Sequence, residues 1–287
     1  MALSNLNPHN AQSHKISENE YEFLRRLVYD HCRINLGDNK KQLVMTRLSK
    51  RLRELKLASY REYIDLLKSQ QGKIELSNLI DAISTNHTYF FRESEHFSFM
   101  MEHLLPDFEK KSGNARPFRI WSAACSSGEE PYSVAILLNE YFKNQNNRWK
   151  LECSDISTKI LQRAKEGIFA QERISRIRKD WVNQYFLKGS GKYQGFYQFN
   201  PKYNRNLSFT HLNLMDRTFP FQQPFDLIFC RNVMIYFDRP TQQDLVNRMA
   251  KYLVPGGYLF IGHSESLNAI QHPLKLIKPA IYQAPTA

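Results

Sequence analysis

Glycine and proline are scarce in this chain, 11 and 12 of 287 residues, so a collagen-like or low-complexity polymer is excluded. Cysteine is scarcer. Cys32, Cys125, Cys153 and Cys230 lie far apart, with no C-x-x-C pair and no zinc spacing. They read as reduced thiols, and a cytoplasmic protein is expected. No apolar run approaches the ~18 residues of a membrane span, so no direct membrane insertion is expected. The opening MALSNLNPHNAQSHK lacks the apolar stretch of a secretory signal, and residues 1–16 read as a flexible polar arm. No cluster of His, Cys and Asp has ligand spacing, so no metal is expected. Acidic residues are in deficit, 28 Asp+Glu against 40 Lys+Arg, giving a formal charge of +12. Such a field calls for an acidic partner, and nucleic acid, anionic lipid and a carboxylate-rich protein all have the right sign.

What is present suffices for a packed protein. With 42% hydrophobic and 24% charged residues, disorder over most of the length is excluded, and the length is that of about two domains. The division falls near residue 85. Residues 17–84 read as helices throughout. Ser17 and Glu20 form a capping box before Tyr21, Leu24, Leu27 and Val28, which recur at helical spacing. A second helix over 40–56 carries Met45, Leu48, Leu52 and Leu55 on one stripe. Residues 60–67 and 74–83 give two more, a small domain near the lower size limit for independent folding. Opposite the second helix's apolar stripe lie Arg47, Lys50 and Arg51, with Arg53 and Lys56 on the flank. From Lys40 to Arg61 there are eight basic residues against one acid, Glu54. A solvated face is the plain reading of such a helix, but this imbalance favours a docking surface for phosphates or carboxylates.

After residue 115 strands alternate with helices. PFRIWSAA, WKLECSDI, LSFTHLNL, PFDLIFCRNV and GYLFIGHS read as strands, and PYSVAILLNEYF, STKILQRAKEG and TQQDLVNRMAKYL as helices. The alternation predicts an α/β domain with a parallel sheet covered on both faces, its ligand at the carboxyl ends of the strands. The tail PLKLIKPAIYQAP can add an edge strand. Residues 184–207, with Gly189, Gly191 and Gly195 among aromatics, break the pattern and read as a small inserted β-hairpin.

The chemistry belongs to the loops after these strands. SAACSSGEE, between Trp121 and Pro131, lacks the phosphate-loop and dinucleotide fingerprints. Two carboxylates at a helix start would repel a pyrophosphate and suit a cationic cofactor such as S-adenosylmethionine. Asp155, ending the second strand, is placed to accept ribose hydroxyls, although an Asp there often only caps the next helix. Asn86, Thr88 and Arg92 in TNHTYFFRESEHF, and Arg231, Asn232 and Tyr236 in CRNVMIYFDRPTQ, crowd polar side chains where the crevice should be. Pro255-Gly256-Gly257 reads as a turn into a late strand.

TNHTYFFRE, IWSAACSSGEEPYS, CSDIS, CRNVMIYFDRPTQ and LVPGGYLFIGHSE occur in the order found in the chemotaxis receptor methyltransferases, and the chain resembles that CheR family from about residue 17 to 284. The resemblance implies a Rossmann-like S-adenosylmethionine-dependent sheet over residues 96–287, a junction at 85–95 that contributes to the cofactor site, and an inserted β-subdomain. It implies methyl transfer to glutamate side chains of chemoreceptors, with S-adenosylhomocysteine as product. It places cofactor contacts at Asn86, Thr88, Arg92, Glu130, Asp155, Asn213, Leu214, Arg231 and Asn232. Arg92 and Tyr236 are the residues implied to bear on the reaction, Arg92 at the charged methionine end and Tyr236 near the transferring methyl in a positioning role. It assigns receptor docking to the basic helix, with Arg47, Lys50, Arg51 and Arg53. In some members the β-subdomain binds the receptor's C-terminal peptide by strand addition, and Gly189 and Gly191 resemble those members. Cys125 departs from the small residues common in the cofactor loop.

A glutamate acceptor is ionised at neutral pH, its reference pKa being about 4.3, so no general base is required. Two other readings remain: a nucleic-acid methyltransferase, suggested by the basic charge, and a non-catalytic cofactor-sensing receptor adaptor. No base-gripping N/D-P-P-Y/F motif or RNA-binding module is present, so no nucleic-acid partner is expected. No long heptad pattern demands a dimer, and a monomer is expected.

Overall fold

A computed structural model describes residues 15–286 except 144 and 146. The expected polar arm falls, up to residue 14, outside the described residues. The chain forms two units. One ends at Ile83 and leaves out His31–Asn35, and those five residues cluster with the second unit, which continues from Ser84.

The first unit is helical. Its elements are α1 (Glu18–Cys32), α2 (Lys41–Leu55), α3 (Tyr60–Lys68) and α4 (Gly72–Ile83). Ser17 and Glu20 exchange the two bonds of a capping box, Ser17 N to Glu20 Oε2 at 2.8 Å and Glu20 N to Ser17 Oγ at 3.3 Å. Helix α1 stops at Cys32, with Arg33 in the left-handed region, four residues before Gly37. The buried row of α2 is Val44, Leu48 and Leu52. It follows the i, i+4 ridge, which leaves Met45 and Leu55 only half-buried. Tyr60, Tyr63 and Ile64 of α3 and Leu79, Ile80 and Ile83 of α4 complete this core.

The second unit opens with α5 (Ser94–Phe99) and α6 (Leu105–Ser112), joined by one π-helical turn, Met100–Leu104. Then follow β1 (Phe118–Ala123), α7 (Glu129–Tyr141), β2 (Trp149–Asp155), α8 (Thr158–Glu166), β3 (Ile168–Ala170), α9 (Gln171–Ile174), α10 (Lys179–Tyr185), β4 (Phe186–Lys188), β5 (Phe196–Phe199) and β6 (Leu207–His211). The unit ends with β7 (Phe225–Cys230), α11 (Arg239–Ala250), β8 (Leu253–Ile261), β9 (Lys275–Lys278) and β10 (Ile281–Gln283). The main sheet runs β6-β2-β1-β7-β8-β10-β9. The first five strands are parallel, and β10 and β9 pair antiparallel at the far edge. The tail therefore supplies two strands where one was expected, and the later of them lies inside.

Alternation along β1 divides the core in two. Phe118 and Ile120 join one buried cluster with α6, α7 and α8, while Trp121 and Ala123 join another with α11. Both faces are covered, as a parallel sheet requires. Every residue from Glu129 to Asn139 is buried, so α7 shows little one-sided pattern. Pro255-Gly256-Gly257 lies within β8 as an irregularity opposite Phe225–Leu227. A side chain at Gly257 would meet Val254 O at 2.9 Å and Phe225 O at 3.1 Å, which explains the glycine there.

The inserted element is a three-stranded antiparallel sheet, β3-β5-β4. Its third strand, Ile168–Ala170, precedes the 184–207 segment expected from sequence, because three residues are too few to show a period. Phe169, Phe186 and Phe199 form its buried side. Phe199 packs on Tyr132 of α7 with ring centroids 4.4 Å apart, and Phe169 on Phe90 at 4.9 Å.

Candidate active site

The strand order reverses at β1, between β2 and β7, where a doubly wound sheet opens a crevice at its carboxyl edge. Asp155 is the last residue of β2, Arg231 directly follows β7, Gly262 directly follows β8, and Asn213 lies two residues past β6. The sheet therefore delivers residues far apart in sequence to one edge.

Arg231 is the centre of a buried network. Its Nε donates to Glu130 Oε2 at 2.6 Å, and its Nη1 donates to the backbone O of Arg92 at 2.7 Å and to His96 Nδ1 at 3.1 Å. Glu93 Oε2 lies 3.5 Å from the same Nη1. Ser122, on β1, donates to the other oxygen of Glu130 at 2.6 Å. His96 is fully buried, and burial, then Arg231, then His263, push its pKa down to about 3. It is therefore neutral, with its proton on Nε2 because Nδ1 accepts from Arg231. Glu93, His96 and His263 bring one ligand atom each within 4.8 Å of one another. The Arg231 guanidinium lies against two of them, Glu93 and His96.

The segment after β7 is held from two sides. Asn232 is in the left-handed region and its Nδ2 donates to Glu93 Oε1 at 3.2 Å. Glu265 accepts from Gly262 N at 2.6 Å, Asn232 N at 2.9 Å and Ile235 N at 3.2 Å. Burial pushes the Glu265 carboxyl up, and these N–H groups partly offset it. A side chain at Gly262 would stand 2.3 Å from Asn232 Nδ2, so glycine is required for the two loops to cross. Tyr236 ends the short helical turn Met234–Tyr236, and its backbone O accepts from Asn35 N at 2.8 Å.

The loop after β1 turns through left-handed Ala124, Ser126 and Gly128. Ser126 N donates to Asp155 Oδ2 at 2.9 Å and Ser126 Oγ to Asn86 O at 3.3 Å, which ties the junction, β1 and β2 together. Asp155 Oδ1 accepts from Ser157 N at 2.9 Å, so this carboxylate both caps α8 and orients the loop. Thr88 is buried, and Arg92 Nη1 donates to His87 O at 3.0 Å. Asn213 donates to His31 O at 2.7 Å and accepts from Met215 N at 3.0 Å, and Leu214 is buried. Cys125 is buried and burial raises its thiol pKa well above normal, which opposes reactivity toward thiol reagents.

Residues 86–282 match the family model described as the CheR methyltransferase SAM binding domain, and residues 19–84 match the CheR methyltransferase all-alpha domain. The chain belongs to the CheR methyltransferase family. A chemotaxis protein methyltransferase of Borreliella burgdorferi is similar to it at 43% identity over 272 residues, covering 93% of this chain and 95% of the relative. Its counterpart in Escherichia coli is 37% identical over 267 residues, covering 93% and 91%. Chemotaxis protein methyltransferase 2 of Pseudomonas aeruginosa is 37% identical over 272 residues, covering 94% and 95%. S-adenosylmethionine is the cofactor of this CheR methyltransferase, and the donor set suits it. An acid at the β2 end, an Arg–Glu pair, amide side chains and a small-residue loop match a ribose diol, a zwitterionic methionine end and an adenine. Among the described residues no helix is long and apolar enough to cross a membrane.

Sequence reasoning passed over Glu93, His96, Ser122, Gly262 and Glu265. Signals for four of them were present: E-x-x-H follows Arg92, and G-H-S-E follows β8. The docking set divides. Lys50 and Arg53 are exposed, whereas Arg47 donates to Ile83 O within its own unit. Arg51 clamps buried Glu75 through Nε at 2.8 Å and Nη2 at 2.5 Å, and Tyr63 adds a third bond at 2.8 Å. In the small sheet, a side chain at Gly189 would stand 2.2 Å from Tyr193 O, and Gly191 has a φ of +56°.

Proposed function

We propose that this CheR methyltransferase esterifies glutamate side chains of chemoreceptors. What carries the reading is the match of both parts of the chain to the CheR methyltransferase family models, beside a site whose buried imidazole already has its Nδ1 on Arg231. His96 is held neutral and its Nδ1 is occupied by Arg231. An acceptor that is already an anion requires no proton removal, whereas an amine does. The names of the relatives support a role in chemotaxis.

Bound S-adenosylmethionine supplies a methyl group on a positively charged sulfur. Asp155 would hold the ribose, with Asn213 and Leu214 bordering the adenine. Arg92, Glu130 and Arg231 would address the methionine end, and Asn86, Thr88 and Asn232 would line the site. Tyr236 would position the acceptor. Carboxylate and sulfonium lose charge together, so the residues' task is alignment and exclusion of water. Lys50 and Arg53 are the exposed charges left for docking an acidic receptor surface, with Arg47 and Arg51 acting through the shape of the helical unit. The β4-β5 turn at Gly189 and Gly191 would receive a receptor's C-terminal peptide. On this reading the protein works in the cytoplasm, as a monomer, on the receptor's cytoplasmic domain.

Receptor-containing membranes incubated with methyl-labelled cofactor, then treated with mild alkali, test the proposal. Ester methyl is released as volatile methanol. Alkali-stable label would overturn glutamate as acceptor, and no transfer with cofactor bound would favour the adaptor.

A further inference from the structure

Two adjacent carboxylates end the loop after β1, and the network around Arg231 accounts only for Glu130. Glu129 is equally buried and engaged elsewhere. It accepts from Arg173 Nε at 2.9 Å, and Arg173 Nη2 donates to the same oxygen. Ser127 Oγ donates to the other oxygen at 2.5 Å, and Arg173 Nη2 reaches Ser127 Oγ at 3.3 Å. Arg173 belongs to α9, which continues directly from β3. The small sheet fixes its place, because β3 pairs with β5, Gln171 N donates to Gly195 O at 2.9 Å and Ile174 is buried.

The braced loop is one that needs bracing. Ala124 and Ser126 are left-handed without being glycine, with φ of 69° and 51°, and such residues persist where their surroundings over-determine them. The β2 side holds the first half of the loop, through Cys125 N to Ser154 O at 2.8 Å and Ser126 N to Asp155 at 2.9 Å. Arg173 grips the second half, at Ser127 and Glu129.

We propose that Arg173 is a positioning residue for cofactor binding, which keeps the loop after β1 in its receiving shape from the side of the small sheet. The proposal rests on the assignment of that loop to S-adenosylmethionine. The small sheet thereby contributes to cofactor affinity through one guanidinium.

Hydrogen exchange of the cofactor-free chain and calorimetric binding of S-adenosylhomocysteine test it. The variants are Arg173→Ala, Arg173→Lys, and Arg173→Ala combined with Glu129→Gln, which removes the buried charge the single change would strand. Exchange at Cys125 and Ser126 should accelerate about tenfold in the alanine variants, and the Kd should rise about tenfold, ~1.4 kcal/mol. Lysine should recover part of both, since an ammonium reaches Glu129 without the fork that also reaches Ser127. An unchanged Kd in the double variant overturns the proposal, whatever its exchange rates. A wild-type chain that fails to bind overturns the loop's assignment itself, before any variant is compared.

Discussion

In the helical unit, among the described residues, the one non-glycine residue in the left-handed region is Lys56, which caps α2 with its N–H on Arg53 O at 3.1 Å. The second unit places Arg33, Phe91, Glu93, Ala124, Ser126, Lys143, Asn232 and Ala280 there, and five of these, Phe91, Glu93, Ala124, Ser126 and Asn232, lie in the junction or just past strand ends. Both units also bury an arginine–carboxylate pair, with different neighbours. Arg51–Glu75 joins two regular helices, and the backbone around it is ordinary. Arg231–Glu130 joins a strand end to a helix start, amid strained backbone. An ion pair between helices adds rigidity to a shape that helical hydrogen bonds already define. At the strand ends no repeating backbone pattern exists, and buried charge supplies the definition instead.

The change expected to hurt most is Arg231→Ala. It strands Glu130 and Glu93 in the interior, so unfolding free energy should fall by about 3–5 kcal/mol and S-adenosylhomocysteine binding should vanish, as read by urea denaturation and calorimetry. Lysine should not restore binding, because one ammonium cannot replace the forked contacts. Arg51→Ala should cost about 3 kcal/mol by the same mechanism and leave cofactor affinity intact. A parallel loss of affinity would erase the contrast between the two pairs.

Gly262→Ala sharpens the contrast at smaller scale. The added carbon collides with Asn232, and overpacking of this kind costs about 1–3 kcal/mol. Cofactor affinity should fall with it, whereas a variant that binds like the wild type would show that Asn232 does not need its place. The smallest effect is expected from acid. Burial alone would raise the Glu75 pKa, but hydrogen bonds from Arg51, Tyr63 and Asn78 hold it below its usual 4.5. A carboxyl depressed in the folded state stabilises fully above its unfolded pKa, and that contribution is lost as pH falls through the folded value. Urea midpoints of the intact chain should drop below about pH 4.5, with a shallower acid slope in Glu75→Gln.

Much of the fold was legible because local spacing records burial. The capping box at Ser17, the period of two in β1 and the alternation of strand and helix are short-range facts. Misreadings fell where local pattern is weak: β3 with three residues, β8 running through Pro255-Gly256-Gly257, and the α2 row shifted from Met45 to Val44. At the site, Arg92, Glu130, Arg231 and Asn232 stood out as polar residues at strand ends or through family likeness. Glu93, His96 and Glu265 did not: E-x-x-H and G-H-S-E stand in the sequence, but nothing near Arg231 or Asn232 marks partners 135 and 33 residues away.

Read alone, the sequence determined the alternation of the main strands and helices, the parallel α/β class and the family, since periodicity and motif order are properties of neighbouring residues. Tertiary structure decided which carboxylate each arginine holds, that Arg51 serves its own unit's interior, and that Glu129 answers to the small sheet. Those choices depend on distances between segments, and a buried charge takes whichever partner the packed chain brings within hydrogen-bond reach.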